Sequence, residues 1–169
     1  MKSLSLLLTV FCFSLMEATV ASATAKLEIL SEDVQIVRAE FGLFNRTPAG
    51  NMSFSPAKTV PLVENQEYGW LILLKTKKPT VKWREEFTLP SPPATWGDAE
   101  AKGLYSISIN RRVSTMERVV SPAEGVIFNS WTVAAGDPKG HHLMRVLIDN
   151  RYERVFEFDV QPVVNRQSK

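Results

Sequence analysis

Phe156, Phe158 and Val160 alternate with Glu157 and Asp159, so a strand through them has one apolar side and one carboxylate side. The same period of two recurs along most of the chain, while a helical period of 3.6 is almost absent. His142, Met144, Val146 and Ile148 share one face of a second strand; Leu143, Arg145 and Leu147 share the other. Asp149-Asn150-Arg151 is the predicted turn between them, with Asn150 suited to the left-handed region. Gly125 to Ala135 carries Phe128 and Trp131 and precedes Gly136-Asp137-Pro138-Lys139-Gly140, a turn in which Pro138 presets φ and the glycines accept positive φ. Three consecutive antiparallel strands follow.

Tyr105, Ile107 and Ile109 alternate with serines and predict a strand ending near Asn110. Val81, Trp83, Phe87 and Leu89 alternate with Lys82, Arg84, Glu86 and Thr88, which leaves Glu85 on the apolar side and predicts an edge or a bulge there, because unpaired buried charges are rare. Trp70 to Leu74 is apolar on both faces, as a central strand is, and Leu27-x-Ile29 with Val34 to Phe44 completes the set. Asn45 to Pro56 and the proline-rich Leu89 to Gly103 resist regular structure; loops as long as the second tend to be functional or disordered. Strands with short turns and no helical stretch read as two packed sheets.

The first residues have a different character. Lys2, the apolar run Leu4 to Met16 and the small-x-small Ala21-Ser22-Ala23 form the pattern of a cleavable signal peptide over residues 1–23, leaving one domain over residues 24–169. A permanent anchor needs about 20 apolar residues, and this run is shorter, with Glu17 behind it. Cys12 lacks the setting of a lipidated cysteine. Cleavage removes that single cysteine, so the exported chain has no internal disulfide and its core must hold it together unaided. The roughly 145 remaining residues suffice, since a domain of this size buries about two thirds of its unfolded surface. The expected destination is the periplasm or the extracellular space, with no stable membrane anchor after cleavage.

Lys+Arg 20 against Asp+Glu 18 gives a net charge of +2, and the leader takes one of each sign away. Nucleic acid, which requires a basic face neutralising several phosphates, is not an expected partner. An unidentified protein or envelope component is.

Glu40-Phe41-Gly42-Leu43-Phe44, Val60-Pro61, Tyr68-Gly69-Trp70, Phe128-x-x-Trp131-x-x-x-x-Gly136 and Phe158-x-Val160 occur in that order. In this the chain resembles the bacterial domain-of-unknown-function family 3859 of small exported proteins. The resemblance spans roughly Val34 to Val160 and implies an all-β fold, an immunoglobulin-like antiparallel two-sheet sandwich of about 7–9 strands. It departs at Asn65, where a glycine is expected, and at His142, where a large aromatic is. It implies no activity.

The residues themselves supply no catalytic motif. His141 and His142 are adjacent and point to opposite faces of a strand, and the patterns Ser-x-x-Lys and Gly-x-Ser-x-Gly are absent. No cofactor or metal is expected, because further ligands beside the two histidines are missing. Paired carboxylates such as Glu85-Glu86 and Glu64/Glu67 leave one enzymatic alternative, action on a cell-wall glycan or ester through Glu85. A third reading is an assembly protein that exchanges an edge strand. The candidate contact residues are Trp96, in the proline-rich stretch, and Lys75, Lys77 and Lys78, read as a basic hairpin tip near Pro79. The leading expectation is a noncatalytic module that works through protein or envelope contacts.

Overall fold

A computed structural model describes residues 34–97 and 105–163, ten strands in two packed sheets. The predicted leader, Leu27-x-Ile29 and residues 98–103 of the proline-rich loop lie outside the described residues. The strands are β1 (Gln35–Arg46), β2 (Met52–Pro56), β3 (Thr59–Pro61), β4 (Glu67–Lys75), β5 (Val81–Thr88), β6 (Ser106–Ile107), β7 (Val113–Val120), β8 (Val126–Thr132), β9 (Gly140–Ile148) and β10 (Tyr152–Gln161). One sheet runs β2-β1-β4-β8 and the other β3-β10-β9-β5-β7-β6. All pairings are antiparallel except β3 beside the end of β10, which is parallel and qualifies the antiparallel expectation.

The alternation that predicted β9 and β10 sets their burial: His142, Met144, Val146 and Ile148, then Phe156, Phe158 and Val160, face the core. Asp149 and Asn150 take φ of 50° and 55°, the mirror-image turn that suits the right-handed twist of a hairpin. Asn65 adopts φ 70°, as the left-handed position expected there requires. Trp70 and Trp83 meet edge to face at 5.2 Å in the middle of the sandwich.

Several expectations need correction. Asn45 to Pro56 is not irregular: it holds the end of β1 and all of β2, whose Met52, Phe54 and Pro56 pair with Arg46, Phe44 and Gly42. β7 was not anticipated, because its core-facing residues are Ser114 and Met116 whereas Val113 and Val119 turn outward. The strand predicted through Ile109 stops at Ile107, and Ile109 is 105% exposed. β4 and β5 belong to different sheets, so the segment holding Lys77 and Lys78 is a crossing between sheets and not a hairpin tip. Glu85 is neither at an edge nor at a bulge: β5 lies between β9 and β7 in unbroken register, and Glu85 is 1% exposed.

The outer face of the first sheet carries a small aromatic cluster. Phe44 lies on that face yet is 2% exposed, because Phe54 and Phe128 flank it at 5.0 and 5.7 Å. Glycine leaves space for this between strands: a Cβ on Gly69 would stand 2.1 Å from the Asn129 carbonyl oxygen, and one on Gly42 would stand 2.2 Å from that of Ser55. Both obstacles are backbone, which cannot swing aside. Gly69→Ala is expected to cost about 2 kcal/mol, within the range of overpacking, measured as a drop in the urea midpoint at unchanged slope. A loss below about 0.5 kcal/mol, the size of an ordinary surface substitution, would show that β4 and β8 can separate without strain.

Candidate functional site

At one end of the sandwich the start of β4, the end of β5, the start of β9 and the described part of the proline-rich loop converge on a cleft of about 80 Å³. Its aromatic wall is Tyr68, Phe87, Trp96 and Trp131, and Asp137 and His142 supply polar groups. Trp96 is 6% exposed and does not project from its loop. Its ring meets Phe87 edge-on at 6.0 Å and Trp131 at 5.7 Å, and its Nε1–H donates to the Arg111 carbonyl at 3.1 Å. Trp131, expected in the core, is partly exposed because β8 is the last strand of its sheet, and it also packs on Tyr105 at 5.1 Å.

The turn after β8 provides the acid. Asp137 accepts the Ala134 backbone N–H on Oδ2 at 2.9 Å; burial pushes its carboxyl above the usual range against that hydrogen bond. Burial raises the Tyr68 phenol as well, and the nearby Asp137 and Glu85 charges add to the effect. His142 behaves as an aromatic spacer. Its ring stacks on Phe158 at 5.3 Å and its Nδ1 bonds the Gly140 carbonyl at 2.9 Å, while burial holds its pKa below the ordinary value. His141 turns outward, between Glu157 and Asp159 at 3.6 and 3.4 Å.

Behind the cleft lies the buried acid. Glu85 accepts hydrogen bonds from three side chains of the opposite sheet: Trp70 Nε1, Trp131 Nε1 at 2.7 Å and Asn129 Nδ2 at 3.0 Å. Burial raises its pKa, opposed by these three donors and by the Arg118 charge. Trp131 lines the cleft and donates its Nε1–H to Glu85, so the carboxyl positions a wall of the cleft through a hydrogen bond.

The predicted basic residues sit elsewhere. Lys75 and Lys77 are exposed at the far end of β4, and Lys78 pairs with Asp149 Oδ2 at 2.7 Å, beside the β9–β10 turn. The length of β5, roughly 25 Å at 3.3 Å per residue, separates them from Trp96. The two groups of candidate contact residues therefore do not form one surface. Reasoning from the sequence placed Asp137 in a turn and weighed it only beside His141 as half of a metal site, and it named neither Asp137 nor Tyr68 as a contact residue. Asp137-Pro138 between two glycines beside a tryptophan strand was the available signal. Among the described residues, no group of three or more His, Cys, Asp or Glu side chains is placed to hold a metal ion.

The crystal structure of an immunoglobulin-like protein from Pseudomonas aeruginosa is similar, with a TM-score of 0.53 and 17% identity over 76% of this chain and 97% of that one. At that identity the likeness speaks for the fold. No curated protein matches the chain in sequence. Residues 39–161 match a family described as the PM0630 beta sandwich domain.

Proposed function

Since the chain belongs to the PM0630 beta sandwich domain family, we propose that it is an exported, noncatalytic binding module whose end cleft seats one side chain or ring of a protein or envelope partner. The observation that carries this reading is the convergence of Trp96, Trp131, Tyr68 and Phe87 with Asp137 on one cleft. Its size narrows the occupant. About 80 Å³ is far below the roughly 300–1,000 Å³ of pockets that enclose a whole small-molecule ligand. A single anchor residue inserted from a larger surface fits it, with Trp and Tyr supplying contact area at low entropy cost.

Export rests on the leader pattern in residues 1–23. The finer likeness to domain-of-unknown-function family 3859 belongs to the same reading, and its motif residues, Glu40 to Val160, fall inside the matched span 39–161. The alternative, a carboxylate enzyme acting on a cell-wall glycan or ester, needs Glu85 to face a second acid across a substrate. Its hydrogen-bond partners are instead neutral donors from two tryptophans and an asparagine, which favours the noncatalytic reading.

The test is capture of envelope components on the immobilised protein, comparing the natural chain with Ala134→Leu, which fills the cleft, and Lys77→Ala, at the opposite end. Ala134→Leu is expected to lose the captured partner at least tenfold, on the order of 1.4 kcal/mol, with Lys77→Ala close to the natural chain. Equal capture by all three would refute the cleft as the contact.

A further inference from the structure

The end cleft holds more hydrogen-bond acceptors than an apolar occupant can use. Tyr68 and His142 are 4% and 2% exposed, yet the Tyr68 phenol oxygen and His142 Nε2 have no hydrogen-bond partner among the described residues. The bond from His142 Nδ1 to the Gly140 carbonyl assigns the ring hydrogen to Nδ1 and leaves Nε2 a bare acceptor. Asp137 engages Oδ2 with the Ala134 N–H, and its Oδ1 has no partner among the described residues. Acceptors from β4, β9 and the turn after β8 thus border one small space. Both indole donors of its wall are spent elsewhere, Trp131 on Glu85 and Trp96 on the Arg111 carbonyl. Buried polar groups in native proteins are nearly always paired, so an occupant of this space has to bring donors.

The charge of the cleft has one sign. Asp137 lines it, and no lysine or arginine is among the described lining residues. Burial holds the Asp137 carboxyl above its usual range, a cost that a cation set beside it would offset. The aromatic walls suit the same charge. Trp96 meets Phe87 at 82° and Trp131 at 67°, and Tyr68 meets Phe87 at 70°, so the rings turn corners around the space instead of stacking. Aromatic rings grouped in this way attract a cation through their π quadrupoles. The turn bearing Asp137 is fixed to the loop bearing Trp96: a Cβ on Gly136 would stand 2.9 Å from the Ala94 Cβ.

We propose that the cleft receives the ammonium end of a lysine side chain from a protein partner, which rests on the cleft being the contact site. An ammonium carries three donors on a rotatable head, one each for Asp137 Oδ1, the Tyr68 phenol oxygen and His142 Nε2. Forked pairing with arginine needs both carboxylate oxygens, and Oδ2 is already engaged. An ethanolamine headgroup would bring a phosphate beside Asp137, where no described lining residue is basic. The volume of about 80 Å³, under three times the roughly 30 Å³ share of one water, admits the end of a side chain and no more.

The experiment titrates the full chain with N-acetyl-lysine methylamide, its ε-acetylated form, the norleucine and arginine analogues, and phosphoethanolamine, following the Trp96 and Trp131 indole N–H signals by NMR. Lysine is expected to bind about tenfold more tightly than norleucine or the acetylated form, and about threefold more tightly than arginine or phosphoethanolamine. Asp137→Asn keeps an acceptor for the Ala134 N–H and is expected to weaken lysine about tenfold with norleucine unchanged. Tyr68→Phe keeps the ring and is expected to weaken lysine about threefold. Absence of a lysine shift, equal binding of lysine and norleucine, or lysine binding that survives both substitutions overturns the proposal. Tighter binding of arginine or phosphoethanolamine than of lysine overturns it as well. Ala134→Leu tells its failure from that of the contact site. If that variant loses the captured partner while lysine binds no better than norleucine, the cleft is a contact that reads shape alone and only the ammonium is refuted. If the variant keeps the partner, the contact site fails and the lysine assignment with it.

Discussion

Glu85→Ala is expected to destabilise the protein by about 3–5 kcal/mol, the cost of breaking a buried polar network by removing one partner. The loss has two sources. Trp70 Nε1, Trp131 Nε1 and Asn129 Nδ2 all lose their acceptor, and a buried donor without a partner costs about 1–3 kcal/mol. The space left by the carboxylate also lies between the sheets, where close packing limits collapse. Set against the roughly 5–15 kcal/mol that holds a domain together, this lowers the thermal midpoint by about 10–20 °C. Circular dichroism through a urea gradient measures it. A loss under about 1 kcal/mol would mean that water or rotamer changes satisfy the two indoles, and the carboxyl would not be what joins the sheets.

The same group has a pH signature. Burial raises the Glu85 pKa above its usual 4.5, so folding favours the protonated acid. Its contribution to stability is therefore fully present below pH 4.5 and falls as pH rises through the folded-state value. His142 has the opposite sense: with a pKa held below the ordinary 6.5, its contribution is present above pH 6.5 and falls as pH drops toward the folded-state value. Glu67 and Asp149, both lowered by basic partners, also lose stability in acid. The difference between Glu85→Gln and the natural chain isolates Glu85. That difference is expected to shift in favour of glutamine as pH rises from 4.5 to neutrality, because only the carboxyl acquires a buried charge.

The ease with which different parts could be read from the sequence has a physical pattern. β9 and β10 were legible because apolar residues alternate along their core side, β4 because it is apolar on both faces as a central strand is, and the turn at Asp149-Asn150 needs the φ values those residues tolerate. β7 was hidden because its buried face is Ser114 and Met116; Ser114 sits opposite Phe87, where a small side chain leaves room for the ring. β2 was hidden because Phe54 covers Phe44 on the outer face of its sheet, so an alternation was present without a core behind it. Glu85 is the instructive failure. Its side of β5 was evident, but its acceptability there depends on Trp70, 15 positions away, and Trp131, 46 away. Such partners meet only after the two sheets pack. The cleft has the same origin, since its walls come from both sheets and two loops.

Trp96→Ala is expected to cost about 3 kcal/mol, at the lower end of the range for removing a buried tryptophan. The ring is 6% exposed, packs edge-on against Phe87 and against Trp131, and ties its loop to the Arg111 carbonyl through Nε1–H. Arg111 itself stands at φ 57°, so the carbonyl is presented from a left-handed turn that the indole helps to hold. Trp96→Phe keeps an aromatic ring and loses the donor, which is expected to cost about 1 kcal/mol, the net worth of one hydrogen bond. The pair of variants separates packing from bonding, and partner capture separates both from recognition. If phenylalanine retains stability to within about 1 kcal/mol yet loses the captured partner, the indole edge belongs to the contact surface. If alanine itself costs less than about 1 kcal/mol, the ring does not wall the cleft in solution, and the contact moves to Asp137 and Trp131.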